Sequence, residues 1–318
     1  MTPLKNLFQI FQRGKFPFKF IYSDKYWMHN MKNHVFPVEK YRLIYEKLLM
    51  MGARKEDFLP PHSASVEDVL LAHTSKYVKK LRAGKLSHAE VMSLELPYSL
   101  ELYEFALMYV GGTIVASEQA LKEGLAVHLG GGFHHAFADH GEGFCVLNDV
   151  AVTVEKLKKE RKIAKVMVVD VDVHQGNGTA AILSKKDYVF TFSIHQMDIY
   201  PAEKPRSRLD VGLWTGDGDE KYLSALNAHF PRLYEEFHPD LVVYLAGADP
   251  FEKDKLGSLK LTKEGLMERG KLIIGEARRR KIPLVVLLAG GYAHDVQDTV
   301  EVHLNTIKVA QKMQRKYT

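Results

Sequence analysis

Asp170, Asp172 and His174 stand two positions apart in the run Val169 to Gly178, which reads VDVDVHQGNG. In an extended chain, side chains at i, i+2 and i+4 point to one face. Two carboxylates and an imidazole crowded together beyond an apolar segment repel one another or are poorly solvated unless a cation joins them. That donor set suits zinc, iron or manganese better than calcium. An exposed loop after a strand, with solvated Asp and His and a glycine turn, accommodates the same residues.

Three further clusters carry chemistry. Gly130, Gly131 and Gly132 precede Phe133, His134 and His135; the glycines let backbone approach a ligand, and the tandem histidines offer two neutral-pH bases. A flexible glycine loop with two exposed imidazoles is the alternative. Ala246-Gly247-Ala248-Asp249 places another carboxylate after an apolar run, and Ala289-Gly290-Gly291-Tyr292 places a phenol after another. Together, Asp172, His174 and Asp249 make a three-ligand set that leaves a coordination position for water. Tyr292 can donate a hydrogen bond to a polarised oxygen.

These residues need elements to position them. Five runs rich in Val, Ile and Leu predict strands buried on both faces: Leu125 to Leu129, Lys165 to Val171, Val189 to Ile194, Leu241 to Ala246 and Leu284 to Ala289. Helical patterns lie among them at Leu100 to Lys122, Leu147 to Lys159, Glu220 to Phe237, Thr262 to Arg280 and Asp295 to Lys312. Alternation of this kind predicts a single α/β domain, a central parallel sheet with helices on both faces. Such sheets bind ligands beyond the carboxyl ends of their strands, where the four clusters would converge.

Composition excludes several classes. The 318 residues contain one cysteine, so no internal disulfide framework or Cys-rich zinc module is available. The net charge is +5, but residues 1–20 hold four cations and no acid, and residues 308–318 hold four more; +5 less these eight leaves −3 on the body. A nucleic-acid binder carries its positive charge on the folded body, so no nucleic-acid partner is expected. No apolar run reaches the ~20 residues of a membrane span, and the expectation is a soluble chain. Residues 1–20 read as a loosely ordered basic leader and 21–318 as the domain.

In order and context, GGGFHHA, GFCVLND, DVDVHQGNG, GAD and GGY resemble the motifs of the zinc-dependent histone deacetylase family, which also includes acetylpolyamine amidohydrolases and acetoin-utilisation proteins. The resemblance runs from about Tyr22 to the final helix. It is closest to the class IV branch, through Gln175, Asn177, the segment His195 to Pro201 and the run Asp254 to Leu261. The resemblance implies the arginase/deacetylase fold and one catalytic Zn2+, with Asp172, His174 and Asp249 as ligands and a water activated by the metal. His135 would be general base and then acid, His134 its electrostatic partner and Tyr292 the oxyanion donor. Asp170 would orient His134 and, with Ser193, match a structural K+ site. Asn177 would fix the tautomer of His135, although a neutral amide cannot stabilise an imidazolium as an aspartate would. Gly143, Phe144, Leu256 and Gly291 would contact the substrate, with Lys40 at the channel floor.

The implied activity is hydrolysis of an acyl-lysine amide, acetyl or longer fatty acyl, on a protein or peptide, in the cytoplasm. Two competitors stand beside it: an amidohydrolase for acetylpolyamines or another small acylated amine, and a non-catalytic acyl-lysine binder. The short segment between Tyr22 and His34 speaks against a polyamine enzyme. The segment Leu94 to Ser99 offers Glu95 where many deacetylases carry an aspartate that grips the substrate backbone. Cys145 reads as a packed small hydrophobe and His140 as a surface imidazole.

Overall fold

The structure, a computed structural model, describes residues 16–28 and 34–318. Its centre is one eight-stranded sheet, every pairing parallel, in the order β2-β1-β3-β8-β7-β4-β5-β6. The strands are β1 Lys19–Ile21, β2 Phe58–Leu59, β3 Leu125–His128, β4 Val166–Asp170, β5 Val189–Gln196, β6 Leu209–Leu213, β7 Leu241–Leu245 and β8 Leu284–Leu287. All five expected strands form, because an unbroken apolar run can be satisfied only where both faces are covered. Every residue of β3, β4, β7 and β8 is buried.

Two helical layers cover the sheet. In one, Asp219–Phe237, Lys263–Arg279, Val296–Tyr317 and Glu39–Met50 pack side by side; in the other, Leu100–Glu123 packs on Asp149–Lys159, which meets Asn177–Leu183. The helix Leu100–Glu123 starts at a Ser99 cap and stops at Gly124, whose φ of 87° lies in the left-handed region open to glycine. Among the described residues no helix is long and apolar enough to cross a membrane.

The site-bearing strands are neighbours, β3, β8, β7 and β4, at the middle of the sheet. Their carboxyl ends are flush: His128 pairs with Leu287, Leu287 with Leu245, and Leu245 with Asp170. Four loops therefore leave the sheet at one level and side by side.

The leader expectation is corrected at its end. Phe16, Phe18 and Phe20 are buried and pack ring against ring, with centroids 5.1–6.1 Å apart. β1 enters the sheet between β2 and β3. The Phe/Lys alternation is a strand period: aromatic rings face inward while Lys19 reaches out to the Glu56 carbonyl at 2.9 Å. Residues 1–15 of the leader, and part of the Tyr22 to His34 segment, lie outside the described residues.

Candidate active site

Asp172 and His174 follow β4, and Asp249 follows β7. One ligand atom from each lies within 4.8 Å of the others, and all three side chains are buried. His174 Nδ1 stands 3.2 Å from Asp172 Oδ1 and 3.6 Å from Asp249 Oδ2. Backbone donors aim the carboxylates: Gly290 N–H donates to Asp172 Oδ2 and Val173 N–H to Asp249 Oδ1, each at 3.0 Å. Burial raises the Asp249 carboxyl to about 7, and the neighbouring Asp172 charge adds to it. Burial works against charge on His174, but the two carboxylates outweigh it and raise the imidazole to about 10. The two carboxylates thus draw positive charge into the cluster.

A divalent cation fits this cluster. Asp249 Oδ2 is buried without a hydrogen-bond partner, an acceptor that a cation would satisfy. Glycines make the room: a Cβ on Gly290 would stand 2.1 Å from Asp249 Oδ2, and one on Gly247 would stand 2.6 Å from Asp172 Oδ2. The donor set of two carboxylate oxygens and an imidazole nitrogen suits zinc or a similar metal.

The tandem histidines lie beside the ligands. His134 Nδ1 donates to Asp170 Oδ2 at 2.7 Å, and its Nε2 is 3.1 Å from His135 Nε2. Burial opposes the His134 charge, but Asp170 and Asp172 overcome it and raise the ring to about 9. Burial, with charged His134 beside it, pushes His135 well below the usual histidine range. Asn177 Oδ1 accepts from His135 Nδ1 at 2.7 Å, so a neutral His135 carries its lone pair on Nε2. The glycine loop is what turns both rings the same way: Gly131 and Gly132 have φ of 73° and 83°. Asp149 pins that loop, accepting Gly132 N–H at 2.9 Å and Phe133 N–H at 2.7 Å.

These groups open into one chamber of about 790 Å³, its mouth included, lined by His134, His135, Asp172, His174, Tyr292 and Leu256 among others. Gly143 and Phe144 also line it, both with positive φ, 49° and 68°. Phe144 stands edge-on to Tyr292 at 6.0 Å between centroids. Gly291 sits differently: Gly290 lines the chamber, while a Cβ on Gly291 would point at Thr299 and Ala248, 2.8 and 2.9 Å away. Lys40 is fully buried and donates to the Ala289 carbonyl at 2.9 Å; burial lowers it to about 8 against the pull of Asp249 and Asp172. Cys145 is buried with its thiol on the Gly143 carbonyl, and burial pushes it up, away from thiolate chemistry. His140 stacks on Phe137 and bonds Asp139 at the surface. Glu95 is exposed at the chamber wall.

Several further residues shape the site. Tyr200 packs edge-on to His135 and His174. Asp254 accepts Tyr292 N–H at 2.6 Å and Leu256 N–H at 2.8 Å, coupling the phenol loop to the rim. Buried Arg269 bonds the carbonyls of Val171 and Gly247, one beside each ligand strand's end. Tyr200 and Asp254 lie in segments that carry the class IV resemblance and Arg269 in none, but only the folded chain reveals these contacts.

An open α/β sheet that gathers a candidate metal cluster, a polarised histidine pair and a phenol beyond its carboxyl ends suits a hydrolytic enzyme. Residues 34–307 match the histone deacetylase domain. An uncharacterized protein of Picosynechococcus is 37% identical over 90% of this chain and 96% of its own length. Histone deacetylase 2 of Arabidopsis thaliana is 31% identical over 88% of this chain and 77% of its own. The acetoin utilization protein AcuC of Bacillus subtilis is 31% identical over 76% and 69%. The chain belongs to the histone deacetylase family, within the arginase/deacetylase superfamily, and is a hydrolytic deacetylase.

Proposed function

We propose that the protein is a zinc-dependent deacylase that hydrolyses the amide of acyl-lysine in a protein or peptide. The observation that carries this reading is the single chamber lined by Asp172, His174, the His134–His135 pair and Tyr292, with Asp249 clustered behind the first two. A cation held by those three ligands would supply Lewis acidity toward the amide carbonyl and toward water. The chain's own groups do the rest. His135, kept neutral by burial and by charged His134, takes the proton from water at Nε2 and returns it to the leaving amine. Tyr292, whose phenol burial holds protonated, donates to the oxygen on which negative charge develops. Asp170 keeps His134 charged and oriented.

Gln175 and Asn177 support assignment to class IV, and a cytoplasmic site of action belongs to the same reading. A narrow apolar side cavity of about 40 Å³ shares Phe36, Phe133 and Phe144 with the chamber walls, so the kinetic comparison below decides whether acyl groups longer than acetyl enter. Ser193, paired with Asp170 across β4 and β5, supports a structural K+ beside the ligands. The absence of an aspartate between Leu94 and Ser99 favours a second reading, a small acylated amine such as an acetylpolyamine as substrate.

The test is a kinetic comparison of acetyl-, octanoyl- and myristoyl-lysine peptides with acetylpolyamines, with metal analysis on the same sample. Higher kcat/KM on the peptides supports the first reading and higher values on polyamines the second. No turnover of any of them by fully zinc-loaded protein leaves a non-catalytic binder.

A further inference from the structure

Glu142 belongs to none of the catalytic roles above, yet it stands directly behind the residue that orients His135. Asn177 Nδ2 donates to Glu142 Oε1 at 2.9 Å, while Asn177 Oδ1 accepts from His135 Nδ1 at 2.7 Å. The same glutamate oxygen accepts the Tyr200 hydroxyl at 2.6 Å, and the Tyr200 ring stands edge-on to His135 with 5.0 Å between centroids. His140 Nε2 is 3.6 Å from the other oxygen. The loop that presents Glu142 is fixed: Glu142 and Cys145 exchange backbone hydrogen bonds at 3.1 and 2.8 Å. It also depends on a glycine, because a Cβ on Gly143 would stand 2.6 Å from the Tyr200 oxygen.

A primary amide has two ends of opposite sense, so Asn177 by itself could offer His135 either its oxygen or its NH2. An ionised carboxylate only accepts. Glu142 therefore takes the NH2 and turns the oxygen toward His135, in agreement with Gly178 N–H, which donates to the same oxygen at 3.0 Å. Facing an acceptor, a neutral His135 must carry its proton on Nδ1, which leaves the Nε2 lone pair, 3.1 Å from His134 Nε2, as the base. The charge-assisted bond to Glu142 also polarises the amide, adding electron density to the oxygen that His135 meets.

We propose that Glu142 is a positioning residue for deacylation: acting through Asn177, it locks His135 in the Nδ1–H form and supplies at one remove the negative charge that stabilises the imidazolium. An aspartate at position 177 would do this directly; here the carboxylate is set one side chain further back. The inference rests on His135 as general base in the deacylase reading above.

The test uses the full-length, metal-loaded protein, with Glu142→Ala, Glu142→Gln, Asn177→Asp and the double variant Asn177→Asp/Glu142→Gln. Glu142→Ala lowers kcat about 10-fold or more, the scale seen for lost outer-shell partners, and leaves KM within about 2-fold. Glu142→Gln, which keeps an acceptor oxygen and the volume but no charge, covers the case in which alanine disturbs the loop; it also lowers kcat. Asn177→Asp alone sets two carboxylates against each other and lowers kcat, whereas the double variant, with one carboxylate left beside His135, regains about 10-fold over it. In protein labelled with 15N-histidine, His135 of the parent is protonated at Nδ1, and Glu142→Ala mixes the tautomers. Parental kcat and tautomer in Glu142→Ala, or a double variant no better than Asn177→Asp, overturns the proposal. Should the parent hydrolyse no acyl-lysine, the deacylase reading fails by itself, and the ring-nitrogen spectra still decide the role of Glu142.

Discussion

Replacing Gly290 with alanine puts a methyl group into the metal-ligand cluster. The added Cβ would stand 2.1 Å from Asp249 Oδ2 and 2.5 Å from Asp172 Oδ2, against a closest tolerated approach of 3.0 Å. The shortfalls, 3.0 − 2.1 and 3.0 − 2.5, require shifts of at least 0.9 Å and 0.5 Å. Metal-ligand distances tolerate deviations of only about 0.2 Å, so neither carboxylate can move that far and remain a ligand at normal length. Moving the loop instead breaks the Gly290 N–H bond to Asp172 and displaces Tyr292 two residues on. Zinc affinity is expected to fall about 10- to 100-fold or more, with kcat/KM at limiting zinc falling alongside. Competition titration with a zinc chelator and metal stoichiometry measure it. Gly275→Ala is the control: it lies in the helix Lys263–Arg279 with its nearest neighbour, Met313 Sδ, at 3.7 Å. That change should leave zinc binding alone and stabilise the fold by about 0.5–1 kcal/mol. Parental zinc affinity in Gly290→Ala refutes the assignment of the cluster as the metal site.

Tyr292→Phe should lower turnover roughly 10²-fold or more while zinc stays bound, as for loss of one oxyanion donor; unchanged turnover removes Tyr292 from the mechanism. Asp172→Ala should lose metal and activity together, read by metal analysis and hydrolysis of the same sample, and full zinc stoichiometry would contradict its role. His128 is buried between Tyr26 and Thr113, and burial lowers it from 6.5 to about 3. Because the folded state refuses a proton that the unfolded state accepts, its contribution is present above pH 6.5 and lost as pH falls toward 3. By pH 5 the loss is 1.36 × 1.5, or about 2 kcal/mol. Urea unfolding of parent and His128→Asn should therefore show a stability gap that narrows by about that amount between pH 7 and 5; a gap constant with pH would contradict the burial argument.

Where a residue's neighbours in sequence are also its neighbours in function, the chain was legible. The five apolar runs became β3, β4, β5, β7 and β8 because twice-buried strands admit little else, and the five helical patterns formed within a few residues of their expected ends. The carboxylate, histidine and phenol groups stood out because each lies in a loop directly after one such strand. β1 and β2 were missed because they are three and two residues long, and aromatic-cationic alternation reads equally as a free tail. β6 has residues with partial exposure and a glycine, so its apolar signal is weak. Asn177–Leu183 was hidden because its first residues double as the end of a motif. Asp149, Asp254, Arg269 and Glu142 act through contacts 16 to 98 positions distant, or through backbone groups, and no local pattern marks such roles.

On the reading proposed above, Asp172, His174 and Asp249 grip one divalent ion, and this ion makes the chamber an enzyme. Anomalous diffraction collected above and below the zinc edge, from crystals of protein purified without added metal and then loaded, tests it most directly. One strong peak is expected at about 2.0–2.2 Å from an oxygen of each carboxylate and from His174 Nδ1. A zinc-loaded, active sample with its peak elsewhere, or with none between those three side chains, would contradict it.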